Sequence, residues 1–409
     1  MSGPAGPRPG RLIALLAMVS LVGYALRSNI TIAQEYLAPD LGLTMADMGT
    51  ISAWGFQLAY ALFQLPGGIL ADRYGSRVVL TIAILGWAVA SFASGLVAAG
   101  TGAFVALFGA RILLGVSQAA TYPVGAMAIT ENVPPDRRAT ANSVFIAFAL
   151  LGSALAPLTL APLMARAGWR AVFLASGAVG LVAAALWYFL APVAPRPAGR
   201  ASLGDHARAG LRLLGDRDLL LLSIAYFLHS AVFFVFIFWF FRYLIDGRGF
   251  DLLASGVWGS IPSFTAFLLA PLGGLAADRL SRHGRPGTAR RRVAVGCLTA
   301  AAALVLIGAN VPGALPAIAA LSLSVAAINA AEGSFWATAT ALGRANAGAA
   351  GGVMNLMGNL GGVVSIWAVP RMRDPLGWPG LLAVWAGVAL VAALLWFAVR
   401  VERTNQDQR

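Results

Sequence analysis

The sequence predicts an all-α membrane protein of twelve transmembrane helices, arranged as two pseudo-symmetric six-helix bundles. Three observations predict it. Of 409 residues, 59% are hydrophobic and 11% are charged, too little charge to cover a water-soluble protein of this size. The apolar residues fall into runs of about 20, the length that crosses a bilayer core. The arginines collect in alternate loops between those runs, as they do in cytoplasmic loops.

The runs, in order, are 11–34, 46–70, 78–99, 102–127, 139–164, 169–191, 218–245, 252–277, 291–310, 313–342, 346–369 and 377–400. Helix is the conformation expected of each, because lipid offers no partner to a free backbone group. Barrel strands would alternate in polarity and be far shorter. The first ten residues, MSGPAGPRPG, read as a disordered tail. The run from Leu12 reads as a retained first span rather than a cleaved signal. It outlasts a signal's apolar core, contains Arg27 and leads into eleven further spans. Spans one to six make an N-terminal bundle, 11–191. A polar stretch, 192–217, follows with PVAPRPAGR and a short amphipathic segment at His206–Leu214, and reads as a cytoplasmic linker. Residues 218–400 make the C-terminal bundle and 401–409 a tail.

All 29 basic residues are arginine. With both termini inside, 21 arginines fall on the cytoplasmic side and five on the outer side, so a multi-pass protein of the cytoplasmic (inner) membrane with cytoplasmic termini is expected. The +13 formal charge is therefore a topology signal and not one for nucleic acid. A single cysteine, Cys297, excludes disulfides and cysteine metal sites. Neither a cofactor nor a metal is expected, and the chain reads as a monomer.

The loop after span two, Leu65-Pro-Gly-Gly-Ile-Leu-Ala-Asp72-Arg73-Tyr-Gly75-Ser-Arg77, has a counterpart after span eight, Pro271-Leu-Gly-Gly-Leu-Ala-Ala-Asp278-Arg279-Leu-Ser-Arg282. The two aspartates are 206 residues apart, about half the chain, which argues for duplication and a pseudo-two-fold axis along the membrane normal. Glycines there allow close helix approach. An aspartate at a helix end can latch onto arginine in one state and release it in another; the alternative is a plain polar turn.

Gly68-x-x-x-Asp72-Arg73-x-Gly75-x-Arg77 resembles the signature loop of the major facilitator superfamily, and Arg111-Ile-Leu-Leu-Gly115 resembles a second motif of it. Further stretches narrow the likeness. They are Tyr24-Ala-Leu-Arg27-Ser-Asn29, Tyr60-x-x-x-Gln64-x-Pro66-Gly67-Gly68, Gly168-Trp169-Arg170, Phe335-Trp336 and Asn355-x-x-Gly358-Asn359-Leu-Gly361-Gly362. Together they resemble the anion:cation symporter family over nearly the whole chain. That resemblance implies the major facilitator fold, a gating role for Gly68, Asp72, Arg73, Gly75, Arg77, Asp278 and Arg279, and secondary active transport by alternating access. Its implied partners are a small organic anion, such as a sugar acid, and a coupling cation, the proton first.

Ionisable groups at membrane depth are costly and mark pathways. Those here are Arg27, Arg111, His229, Arg242 and Glu332, on spans one, four, seven and ten, the helices that line the central cavity of the resembled architecture. Arg27 is the foremost substrate candidate, since a guanidinium grips a carboxylate through two parallel hydrogen bonds; snorkelling toward the outer face or a structural ion pair is the competing reading. Tyr24 and Thr31 share its face. Gln57, Tyr60 and Gln64 make one polar stripe on span two, with Tyr60 the expected ligand and helix–helix hydrogen bonding the alternative for the glutamines. Asn355, Asn359, Trp336 and Gln118 complete the substrate set, against plain packing. Arg111 and Arg242 are expected as cavity charges.

The family pattern breaks at two positions. Proton-coupled members carry acids where this chain has Leu26 and Gln118, and neither side chain titrates. Glu332 is left as the coupling group, with His229 behind it. Glu332 either carries the proton or pairs with Arg27 or Arg242 until substrate displaces it; a permanent buried pair is the alternative. Coupled import leads, uncoupled facilitation or exchange comes second, and drug efflux third. Span five reads Gly152-Ser-Ala-Leu-Ala-Pro157 and lacks the glycine-rich run ending in Gly-Pro of drug antiporters. No Ser–His–Asp group, phosphate loop or metal spacing points to an enzyme.

Overall fold

The computed structural model describes residues 9–133, 138–192, 215–282, 285–343 and 347–400, and these form helices, turns and short loops with no strand among them. Most of the expected N-terminal tail, the linker from 193 to 214 and the tail 401–409 lie outside the described residues.

Helix α1 is Pro9–Leu41. It stops because Gly42 turns to positive φ (68°) and the Leu43 amide closes back on the Ala38 carbonyl at 2.8 Å, a left-handed cap that only glycine adopts at little cost. Thr44 and Asp47 then form a reciprocal capping box that starts α2, Met45–Thr50. The helix widens into a π turn over Ile51–Leu58 and narrows again as α3, Ala59–Tyr74. Gly75 (φ 86°) swings the chain into α4, Ser76–Gly95. Helices α5, Ala103–Ala119, and α6, Thr121–Asn132, follow almost end to end. Helix α7, Arg138–Leu190, is broken at Gly168 (φ 78°). After it come α8 (Arg217–Arg248), α9 (Leu252–Arg282), α10 (Pro286–Asn310), α11 (Ala314–Gly343) and α12 (Ala347–Ala398), the last broken at Gly377 (φ 64°).

Among the described residues nine helices are long and apolar enough to cross a membrane. Two of them, α7 and α12, are of double length and divide at their glycines. The nine therefore correspond to eleven of the twelve segments read from the sequence, and the composite segment α2–π–α3 stands in the place of the twelfth.

The chain packs as two compact units, residues 1–200 with 244–260, and residues 201–243 with 261–409. The end of α8 and the start of α9 group with the first unit, where Gly256 is packed on Pro157 and Ala161.

Each unit repeats the same close approaches. A Cβ on Gly67 would stand 2.8 Å from the Ala120 Cα, so α3 and the α5–α6 junction touch backbone to backbone. Gly273, 206 positions later, lies against the Ala330 carbonyl in the same way, while its neighbour Gly274, the counterpart of Gly68, has nothing within 4 Å. In the second copy the contact glycine is thus the first of the pair. Arginines cap distant helix ends in both units: Arg77 Nε donates to the Tyr188 carbonyl at 2.6 Å, and Arg291 Nη2 to the Val399 carbonyl at 2.7 Å. Gly168-Trp169 and Gly377-Trp378 make a third repeated pair, each glycine at positive φ and each indole buried.

Candidate functional site

In the first unit the site grows from Arg27. The residue is 5% exposed, its side chain turned into the unit. Nη2 donates to Gln57 Oε1 at 2.6 Å. Three rings surround the guanidinium carbon, Phe56 at 4.8 Å, Tyr60 at 5.1 Å and Tyr24 at 5.5 Å. Ring faces stabilise a desolvated cation in apolar surroundings. Phe56 and Tyr60 stack at 5.9 Å.

The π turn is what brings Phe56 and Gln57 to Arg27. A π turn holds an extra residue and rotates all that precede it relative to α-helical register, and such turns recur at functional sites. Two glycines hold it in place. Gly55 faces Phe108 and the Arg111 Cβ, and Gly115 lies directly on the Phe56 carbonyl, so α5 presses on the turn with no side chain between. Thr31, on the same face as Arg27, turns its hydroxyl back to the Ser28 carbonyl at 2.7 Å.

Arg111 is 2% exposed. Its Nη2 donates to Asn29 Oδ1 at 3.3 Å and its guanidinium lies 5.2 Å from the Phe173 ring. Asn29 is two residues from Arg27 and so about 200° around α1. The two arginines address opposite faces of that helix. Gln118 is buried and its Nε2 donates to the Gly23 carbonyl at 2.8 Å, tying α5 to α1. Gln64 is half-buried.

In the second unit the site centres on Glu332. Oε1 accepts from the Tyr226 hydroxyl at 2.6 Å and from Trp336 Nε1 at 2.7 Å. Oε2 lies 3.7 Å from His229 Nε2, which is also 3.0 Å from the Ile328 carbonyl. Helical spacing explains the convergence: Tyr226 and His229 are i, i+3 on α8, and Glu332 and Trp336 are i, i+4 on α11. Tyr226 stacks on His229 at 5.3 Å, and Phe335 closes on both rings. His229 is buried, whereas the Glu332 side chain keeps 37% of its surface open, so a proton or ligand can reach it. Helix α12 comes close because Gly358 packs on Tyr226 and Ser230 and Gly361 on the Phe227 carbonyl. Asn359 is buried and donates to the Asn355 carbonyl at 2.9 Å. Arg242 is half-buried on α8.

Of the residues expected to gate, Gly68 is helical and Gly75 makes the turn, Arg77 bonds to the Tyr188 carbonyl, and Arg73 and Arg279 are exposed. The side chains of Asp72 and Asp278 lie outside the described part of the molecule. Sequence reasoning missed Phe56, Asn29 and Tyr226 as site residues. Tyr226 carried a usable signal, a hydroxyl one turn from His229 in an otherwise apolar run.

The comparisons with known proteins agree with this architecture. The model of the Major Facilitator Superfamily matches residues 13–366. The hexuronate transporter of Bacillus subtilis (strain 168) is 28% identical over 395 residues, covering 94% of this chain and 92% of that protein. The D-galactonate transporter of Escherichia coli O6:H1 is 26% identical, covering 95% of each. The probable galactarate/D-glucarate transporter of Escherichia coli (strain K12) reaches 30% over 69% of this chain and 70% of its own. Among solved structures, a bacterial homologue of the human lysosomal transporter Spinster superposes with a TM-score of 0.79 at 17% identity, covering 98% of this chain and all of that one. A D-xylose-proton symporter gives 0.71 at 18%, covering 97% and 99%. These two likenesses speak to fold alone.

Proposed function

Because the chain belongs to the Major Facilitator Superfamily, we propose that it carries a small organic anion, a carboxylate of the sugar-acid kind, across the cytoplasmic membrane by alternating access. The observation that carries this reading is Arg27. It is a buried cation on the first span, hydrogen-bonded to a neutral amide and ringed by Tyr24, Phe56 and Tyr60. A carboxylate is the ligand that such a group binds best, through charge-assisted bonds about twice as strong as neutral ones. The names of the sugar-acid relatives point the same way. Tyr60 and Tyr24 line the anion beside Arg27.

The test is binding of D-glucuronate, D-galactonate and D-glucarate to purified protein, read as thermal stabilisation, in wild type and Arg27→Ala. Loss of a charged hydrogen-bonding group weakens binding by roughly 10- to 100-fold, so stabilisation by the acids disappears in the variant at matched concentration. Stabilisation by neutral or cationic amphiphiles instead of acids would replace this reading with efflux.

Coupling to a proton is the finer half of the proposal. With Leu26 and Gln118 in place of acids, the role passes to the Glu332–His229 pair, which Tyr226 and Trp336 hold in position. The same two substitutions favour a second reading, uncoupled facilitation or exchange. The response of uptake to an imposed proton gradient separates the two.

A further inference from the structure

An arginine this deeply buried has to be compensated in the empty carrier as well as in the loaded one, since an uncompensated buried charge is strongly unfavourable. The acceptor at Nη2 is the amide oxygen of Gln57, at 2.6 Å, on a side chain that is 0% exposed. Gln57 stands on the π turn, whose backbone is clamped at the preceding residue by Gly115 against the Phe56 carbonyl. The turn is therefore fixed while the glutamine side chain above it retains its own torsions. The rings of Tyr24, Phe56 and Tyr60 stabilise the cation but offer it no in-plane acceptor equal to a carboxylate.

We infer that Gln57 is a place-holder that sets anion affinity: in the empty carrier its amide oxygen takes the position on Arg27 that a carboxylate oxygen of the transported anion takes on loading. The inference rests on the anion reading above. A neutral amide is a good enough acceptor to keep the guanidinium satisfied and oriented. It is a weaker one than a carboxylate, so the exchange runs toward the anion when anion is present and back when it leaves. A carboxylate at position 57 would hold Arg27 permanently. A hydrocarbon there would remove one competing acceptor from Arg27 in the empty state, favouring binding and impeding the return of the unloaded carrier. Gln57 thus determines two quantities at once, the apparent affinity and the rate of the empty-carrier step.

The test uses the full chain, with D-glucuronate, D-galactonate and D-glucarate as probes, and the substitutions Gln57→Glu and Gln57→Ala. Gln57→Glu is expected to weaken binding at least about tenfold at neutral pH while its thermal midpoint without ligand is kept or raised. Gln57→Ala is expected to tighten binding about two- to tenfold, the worth of one neutral hydrogen bond removed from the competing state. In proteoliposomes Gln57→Ala slows net uptake more than counterflow, because only net uptake needs the empty carrier to return. Opposite signs for the two variants are the signature. If both weaken binding, or neither changes it, Gln57 is an ordinary packing or ligand residue and the inference is wrong. If Gln57→Glu does not fold, the sign for Gln57→Ala decides. Wild type that binds none of the acids defeats the anion reading and this inference with it, whereas wild-type binding with like-signed variants defeats this inference alone.

Discussion

Two side chains carry most of the proposed chemistry, and each was visible in the sequence because a charge in an apolar run has few innocent explanations. Glu332 shows how far that visibility goes. Its carboxylate has two donors on one oxygen and an imidazole 3.7 Å from the other. Glu332→Gln keeps an acceptor for Tyr226 and Trp336 and removes the ionisable carboxylate. Uptake in that variant is expected to lose its acceleration by an inward proton gradient while a steady-state counterflow signal survives. Uptake that responds to the gradient as wild type does would assign coupling elsewhere or remove it. The carboxylate's partners were harder to foresee than the carboxylate. His229 stood out in its apolar run and Tyr226 offered a hydroxyl one turn before it, but only α8 set beside α11 shows that the hydroxyl meets the carboxylate. Arg27 and Gln57 lie 30 residues apart, and their meeting depends on a π turn that no residue in Ile51–Leu58 announces. The polar stripe of Gln57, Tyr60 and Gln64 was drawn on an ideal α-helix, and the extra residue of the π turn resets its first member. Arg111 was equally legible as a charge, yet its direction was not. Only the register of Asn29 on α1 shows that it addresses the face opposite Arg27.

Helices meet in this molecule through glycine, and the identity of the contact glycine is a property of the neighbour. In α12 the run Gly358-Asn359-Leu-Gly361-Gly362 reads from sequence as a smooth face, but it does not say which position touches. Gly361 lies on the Phe227 carbonyl, Gly358 on Tyr226 and Gly362 on Phe234. A methyl group at 361 meets backbone, which has no rotamer to turn aside, so α8 and α12 must separate and carry Tyr226 away from Glu332. Gly361→Ala is expected to cost about 1–3 kcal/mol, read as a lower thermal midpoint, and to weaken uptake beyond what the stability loss explains. Gly274→Ala is the matched control. That glycine is mid-helix with nothing within 4 Å, so alanine there is expected to leave stability unchanged or raise it by up to about 1 kcal/mol. Equal destabilisation by both would show that helix packing at 361 is looser than the distances imply. Segment ends were read short even where a glycine ends the helix: the first span was ended at 34 and the second at 70, whereas the helices run on to Leu41 and Tyr74 before Gly42 and Gly75 turn the chain. Between spans five and six and between eleven and twelve, loops of several residues were expected. The chain instead turns at single residues, Gly168 and Gly377, because one positive φ redirects a helix as well as a loop does.

At the level of the whole chain, duplication is written three times: in Gly67 and Gly273, in the Gly-Trp pairs at 168 and 377, and in Arg77 and Arg291 capping distant helix ends. Parallel repeats related about the membrane normal place equivalent loops on one side, so the argument from arginine count and the argument from repetition have to agree on topology. The expected outcome is that the two glycine-aspartate loops, the stretch between the units and both termini share the arginine-rich side. The single cysteine makes this testable with little disturbance. On a Cys297→Ser background, Thr101→Cys and Asp374→Cys stand at positions expected outside, and Gly215→Cys and Arg285→Cys at positions expected inside; all four positions are exposed. A membrane-impermeant maleimide added to intact cells is expected to label the first pair and to reach the second only after permeabilisation. Because the two pairs sample both halves of the chain, an inverted pattern in one half would break the parallel relation of the repeats. Inversion in both halves would put the arginine-rich loops outside, against the energetics that sort positive charge to the cytoplasmic face.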